Sequence, residues 1–203
     1  MINLRLITLG LLLSAVFGSV LVAGSPEDYV NQVSVEFSPQ KIDGYVAYRA
    51  RAVYESNIST ATLMDRLAQG NLQRNPDHPR MMEVRVLDSW DGGFRVYQKY
   101  GVKIIFFTDS TEMILDFDTQ WQGSTGVFAW HITESPDGKM VDSRGSWTIR
   151  PSSGSNIHQG PSILEYEVTT IFNRTDYVFE QLVETFGRGE LVNTLKYISR
   201  SLL

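Results

Sequence analysis

The three histidines, His78, His131 and His158, are the side chains through which this 203-residue chain could most directly hold a metal, and their spacing argues against it. No two stand at His-x-His or His-x-x-x-His separation, so the sequence offers no preorganised pair of ligands. The chain has no cysteine, which removes thiolate ligands, cysteine nucleophiles and disulfides together. Serine chemistry fares no better, because Gly145-Ser146-Trp147 lacks the second glycine of a nucleophile elbow and Gly154-Ser155-Asn156 falls in a polar stretch. Carboxylates remain. Glu112, Asp116 and Asp118 lie along one extended segment and alternate with Met113, Leu115 and Phe117, which turns them to the wet face. Glu165, Glu167, His131 and Arg144 are the other acid-base candidates, and strand parity favours the outer face for them as well. No catalytic residue, metal or cofactor is assigned.

Aromatic residues are the stronger lead. Tyr97, Phe117, Phe128, Trp130, Trp147 and Tyr166 sit on extended segments, and Phe179, Val183 and Phe186 recur at helical spacing near the C-terminus. Together with Val168 they form the expected lining of an apolar interior, with Tyr97, Gln98, Thr148 or Tyr166 available to orient a polar group. Residues of these types build filled cores and open cavities alike, so both readings stand at this point.

The elements that would carry these residues follow from periodicity and turn chemistry. Strands are expected at Tyr45 to Tyr54, Glu83 to Trp90, Phe94 to Tyr100, Glu112 to Gln120, Gly126 to Thr133, Met140 to Arg150 and Ser162 to Phe172. Val102 to Phe107 is also strand-like. Turns are expected at Asp91-Gly92-Gly93, Asp109-Ser110, Gln122-Gly123-Ser124 and Pro136-Asp137-Gly138, and at the rigid Asn75-Pro76-Asp77-His78-Pro79. A short helix fits Ser59 to Gln69, with Leu63, Met64 and Leu67 on one face, Thr62 and Asp65 at capping-box spacing, and Gly70 at its end. A terminal helix carries Phe179, Leu182, Val183 and Phe186, then Leu191, Leu195, Ile198 and Leu202 beyond the Gly187-Arg188-Gly189 interruption. Two glycines in a helix interior predict a bend there, and a ligand portal would lie between it and the polar Ser152 to Gly160 connection, which has no apolar anchor except Ile157. The sequons Asn57-Ile58-Ser59 and Asn173-Arg174-Thr175 both precede helices and read as capping sequences.

A strand, a short helical stretch, six antiparallel strands and a closing helix is an order that resembles the START-like, or polyketide cyclase/dehydrase-like (SRPBCC), helix-grip superfamily. The residues that carry the resemblance, over roughly Tyr45 to Leu202, are Gly145-x-Trp147-x-Ile149-x-Pro151, the following Leu164-x-Tyr166, the Phe94 to Met113 passage ending in Asp109-Ser110-Thr111-Glu112, and the closing Leu195-Lys196-Tyr197-Ile198. Thr111 departs from the family pattern, in which a basic residue commonly stands there, and this removes one partner of a family-type buried ion pair. The resemblance implies an α+β fold, with a curved antiparallel sheet of about seven strands wrapped around a long C-terminal helix. It implies a lipid or other hydrophobic small molecule as ligand, held or transported between sheet and helix, with transient membrane contact. Two alternatives stay open: a cyclase/dehydrase-type enzyme using the same cavity, and a non-enzymatic interaction module with a filled core.

Location is read from the N-terminus. Met1 to Arg5 carries one positive charge, Leu6 to Val22 is largely apolar, and Val22-Ala23-Gly24 has the small residues of a cleavage site, so residues 1–24 are expected to be a signal peptide and the protein periplasmic or secreted. An uncleaved anchor is the alternative, because the apolar run is nearly long enough to span a bilayer. Residues 25–43, with Pro26 and Pro39, read as a lead-in that is mobile or covers one edge of the fold, and residues 44–203 as one ligand-binding domain. The net charge of −5 argues against nucleic acid as a partner, since phosphate recognition needs clustered Lys and Arg.

Overall fold

A computed structural model of the chain describes residues 34–72, 81–104, 107–181, 183–185 and 188. Eight strands make one antiparallel sheet: β1 (Ser34–Ile42), β2 (Tyr45–Ser56), β3 (Met81–Trp90), β4 (Gly93–Ile104), β5 (Phe107–Gln122), β6 (Thr125–Glu134), β7 (Met140–Pro151) and β8 (Ser162–Phe172). Their order across the sheet is β1-β2-β8-β7-β6-β5-β4-β3. The last strand therefore lies between the second and the seventh, and β3 and β1 form the edges. Helix α1 (Thr60–Leu72) connects β2 to β3, and helical residues at 177–181, 183–185 and 188 follow β8 as the C-terminal helix, α2. The expected helix-grip architecture is the observed one, with eight strands among the described residues where about seven were expected.

The additional strand comes from the lead-in. Ser34 to Ile42 pairs with β2 along its whole length, from Ser34 opposite Val53 to Ile42 opposite Tyr45, so it covers an edge and the sheet begins ten residues before the position expected from hydrophobic patterning. Only Val35 and Phe37 mark the strand's inner face, alternating with exposed Glu36 and Ser38 before Pro39, which is too short an apolar pattern for a periodicity reading. Asp109-Ser110 is no turn, since Val102 pairs with Asp109 and Gly101 with Ser110 inside the β4–β5 ladder. The expected turns at Gly92, Gly123 and Gly138 are found, each glycine with positive φ.

Helix α1 starts one residue later than expected and runs through Gly70 to Leu72. Its N-terminus is capped by Ser59, whose Oγ accepts from the Thr62 amide at 3.4 Å and whose carbonyl accepts from Leu63, rather than by a Thr62–Asp65 box. Leu63, Met64 and Leu67 are buried as the pattern requires, and the helix touches β6, β7 and β3. Thr60 and Ser162 hydroxyls meet at 3.0 Å in the interior and fasten it to β8. The connection 152–160 is anchored by main-chain bonds, not loose: the Ala61 amide donates to the Ile157 carbonyl at 2.8 Å, and Ser152 and Asn156 are tied to Pro161 and Gln159. Asp176 caps α2 by accepting from the Phe179 amide, while the Asn173 amide group donates to the Gly138 carbonyl. Residues 1–33, the proline turn at 75–79, Phe186, Gly187, Gly189 and everything from Leu191 lie outside the described residues.

Strand alternation divides the sheet into two chemically different faces. The concave face carries Ala50, Ala52, Tyr54, Phe94, Val96, Leu115, Phe117, Phe128, Trp147, Ile149, Leu164, Tyr166 and Val168, which with α1 form one hydrophobic cluster. The convex face carries ion pairs. Arg95 forks onto Asp116 with Nε–Oδ1 of 2.6 Å and Nη2–Oδ2 of 2.7 Å, Lys99 meets Glu112 at 2.8 Å, and Glu165 receives Arg51 and Arg150. Glu112, Asp116 and Asp118 thus face outward, as alternation requires. Hydrogen bonding to Arg95 holds the Asp116 carboxyl below its ordinary range against an opposing desolvation effect. Its stabilisation is then fully present above the unfolded carboxyl value of about 3.9 and is lost as pH falls through the lower folded value. Asp116→Asn should flatten the loss of urea stability below about pH 4 relative to the parent protein; an unchanged acid limb would remove the pair from the account of acid sensitivity.

Candidate ligand cavity

The concave face is not filled completely. A cavity of about 310 Å³ remains between the sheet and α1. Its walls come from most of the sheet: Tyr48 of β2, Val168, Thr170 and Phe172 of β8, Met140, Ser143 and Trp147 of β7, Phe128 and Trp130 of β6, Thr111, Met113, Leu115 and Phe117 of β5, Gln98 and Tyr100 of β4, and Met81 of β3. Arg66, Leu67, Gly70 and Asn71 of α1 form the roof.

An aromatic run joins these strands into one wall. Phe94 stacks on Phe117 at 5.2 Å between ring centres, Phe117 on Phe128 at 5.2 Å and Trp130 on Tyr166 at 5.6 Å; Trp147 lies tilted against Tyr166 at 4.6 Å, with Tyr54 edge-on to Trp147. Phe117 and Trp130, at 6.4 Å, bridge the two halves. Gly145 makes this possible. A Cβ there would collide with the Glu167 carbonyl oxygen and with the Trp130 indole, whose Cη2 would stand 2.7 Å away. The empty position opposite Trp130 in the β6–β7 ladder lets the indole lie across β7 and reach Tyr166.

Of the ten residues expected to line the interior, Phe117, Phe128, Trp130, Trp147, Tyr166 and Val168 do so. Tyr97 does not. It follows Val96 and precedes Gln98, both of which point inward, so it stands on the convex face, where Arg85 lies 4.2 Å over its ring and Glu112 neighbours its hydroxyl. Its burial comes from those side chains and not from the cavity. Phe179 packs edge-on against Phe172 and reaches the cavity only through it, Val183 is buried on α2 without lining the cavity, and Phe186 is outside the described residues. Thr148, between inward Trp147 and Ile149, also faces out, whereas Gln98 and Tyr166 supply polar atoms inside.

Sequence reasoning passed over Tyr48, Arg66, Tyr100, Thr111 and Met113 as lining residues. Arg66 has a detectable signal, because it stands three after Leu63 and four before Gly70 and so shares the inward face of α1. Met113 and Thr111 share alternation with Leu115 and Phe117. Glu165, Glu167, His131 and Arg144 are all on the convex side, where Arg144 pairs with Asp142 and His131 is exposed. Among the described residues the cavity wall holds neither carboxylate nor histidine, and no group of three metal-ligating side chains occurs. A second recess, on the convex side, is edged by Glu36, Arg49, Arg51, Arg144 and Glu167 and so mixes both signs of charge.

The interior hydroxyls are held neutral. Burial raises the pKa of Tyr48, Tyr54 and Tyr100, and lifts Tyr166 further, with the charges its three tyrosine neighbours would carry adding to the effect. These groups can donate and accept hydrogen bonds, but they cannot serve as bases at ordinary pH.

No protein-family model matches the chain, and no curated protein matches it by sequence. Solved structures do match it in shape. Human StAR-related lipid transfer protein 5 superposes with a TM-score of 0.62 at 10% identity, covering 96% of both chains. A STAR-related lipid transfer protein from Xanthomonas axonopodis gives 0.56 at 12% identity over 85% of this chain and 99% of that one. An aromatase/cyclase from Streptomyces gives 0.54 at 12% identity over 76% and 93%. The chain therefore has the START-like helix-grip fold, which hosts lipid transfer proteins and a cyclase alike, so the cavity must decide the function.

Two outcomes test this description. Gly145→Ala should cost about 1–3 kcal/mol in urea unfolding, because Trp130 and the β8 main chain have to move; parental stability would show that the indole has room to spare. Tyr166→Phe should leave the number of phenolates in the folded protein at about pH 11 unchanged, read by ultraviolet absorbance, since Tyr166 stays protonated there; a count lower by one would contradict the raised value.

Proposed function

We propose that this protein binds, and carries, a hydrophobic small molecule in the cavity between its sheet and its helices, without chemistry on the ligand. The observation that carries the proposal is the makeup of the cavity wall: aromatic and aliphatic side chains with a few hydroxyl and amide groups and the Arg66 guanidinium, and no carboxylate or histidine among the described residues. Pockets of this kind bind by apolar burial, at about 25 cal/mol per Å² removed from water, less the cost of immobilising the ligand. The cyclase/dehydrase alternative needs a titratable group tuned toward neutral pH inside the cavity, and the four candidates for that role point the other way. The volume stands at the lower end of the range for ligand pockets, which suits one chain or one ring system better than a two-chain lipid.

The same proposal takes the protein as exported, on the strength of the apolar Leu6 to Val22 run and the small residues at Val22-Ala23-Gly24. A lipid carrier outside the cytoplasm would meet membranes transiently to load and unload.

Purified protein should bind N-phenyl-1-naphthylamine saturably, with one site per chain and a blue-shifted emission, and should release lipid into organic solvent after mild purification. Met113→Trp, which fills the cavity from β5, should weaken the probe by about tenfold or more while the far-ultraviolet circular dichroism stays parental. Parental probe binding in that folded variant would move the site elsewhere.

A further inference from the structure

We infer that the cavity takes a single-chain amphiphile whose end group is an anionic oxygen acid, a carboxylate or a phosphate monoester, held by Arg66 and Gln98. The inference rests on the proposed apolar-ligand function and specifies the chemistry of the ligand's polar end.

Gln98 is 2% exposed, yet its Nε2 finds no hydrogen-bond partner among the described residues. It is the inward residue of β4 directly across from Met113 of β5, and Thr111, one inward position further along β5, has a buried Oγ1 that also lacks a partner. Above them, Arg66 of α1 contributes a buried Nη1 with none either. All three residues line the same cavity. Buried polar atoms are normally satisfied, so three orphaned groups around one apolar space describe a ligand's outline in negative. Two of the three groups are N–H donors and the third is a hydroxyl that can donate, so the complementary group must accept several hydrogen bonds.

Charge decides which acceptor. Among the described residues that line the cavity Arg66 is the one that carries a charge, and neither aspartate nor glutamate joins it there. The interior tyrosines stay neutral, so no wall group among the described residues supplies the counter-charge. A carboxylate or phosphate offers lone pairs to a guanidinium fork and to an amide at once, whereas an alcohol or sterol hydroxyl satisfies one donor and leaves the guanidinium without its counter-ion. Thr111 adds a hydroxyl to the site and no charge. The cavity of about 310 Å³ then accommodates the remainder as one alkyl chain along the aromatic wall.

The test compares ligands that share a sixteen-carbon chain and differ only at the end: palmitate, hexadecyl phosphate and hexadecanol, each displacing N-phenyl-1-naphthylamine at pH 8. The parent protein should bind palmitate or hexadecyl phosphate at least tenfold more tightly than hexadecanol, and whichever anion is tighter identifies the acid. Arg66→Gln and Gln98→Leu should each weaken the preferred anion by about ten- to a hundredfold, as expected for a hydrogen bond to a charged group, while hexadecanol and the probe change by less than about threefold. Hexadecanol binding as tightly as both anions, or anion binding unaffected in both variants, would overturn the assignment. If the probe binds the parent protein and none of the three ligands displaces it, the ligand class is wrong but the apolar cavity stands. If the probe itself does not bind, the underlying function fails first.

Discussion

The contact between Trp130 and Gly145 is the point on which the concave face depends. A flat indole laid across a glycine joins the Phe94-Phe117-Phe128 stack on one side of the sheet to the Tyr166-Trp147-Tyr54 group on the other. Without it, β7 would present a side chain opposite Trp130, the ring would be pushed toward α1, and the space it now borders would be taken up. The cavity is thus a consequence of where bulk has been left out as much as of where it has been supplied. Dispersion contacts along the aromatic run keep the wall rigid, and a rigid wall is what lets the space stay open when collapse would bury more surface.

The two faces of the sheet divide the work. The paired charges Arg95 with Asp116, Lys99 with Glu112, and Arg51 and Arg150 with Glu165 all stand on the convex side. Those pairs are partly exposed and individually weak, so their main effect is to make a one-residue slip of any strand expensive, since a slip would turn charges inward. Register is what aligns seven aromatic rings across six strands. The convex ion pairs therefore guard the geometry of the concave wall.

Much of this was legible in the chain. The β8 segment alternates cleanly through Leu164, Tyr166 and Val168, and its span, its face and two of its lining residues, Tyr166 and Val168, followed directly; the antiparallel run and the α1 face marked by Leu63, Met64 and Leu67 were equally plain. Tyr97 was misplaced for an identifiable reason. Phe94 and Tyr97 are three apart and cannot share a strand face, but the next inward residue after Val96, Gln98, is polar, and a buried amide breaks the pattern that would have assigned Tyr97 to the outside. Arg66 escaped because arginines on helices are usually solvated, and because only the fold brings α1 over the sheet. The edge strand β1 escaped because its outward residues are polar and its inward partners belong to β2. What alternation and composition could not supply was the third dimension: which inward residues pack against each other and which face a space.

The strand order carries a kinetic consequence. Strands β3 to β7 form successive hairpins, each closed by a short turn, and can zip in sequence as soon as they are made. The β2–β8 ladder is different, since it unites residues such as Arg51 and Glu165 that lie 114 positions apart, and β8 joins the sheet only when nearly the whole chain is available. Loop closure of that length is slow relative to hairpin formation, and the side chains that wait for it include Tyr48, Tyr166, Val168 and Thr170. A half-assembled meander would expose the Phe117 and Phe128 rings to other chains until β8 docks.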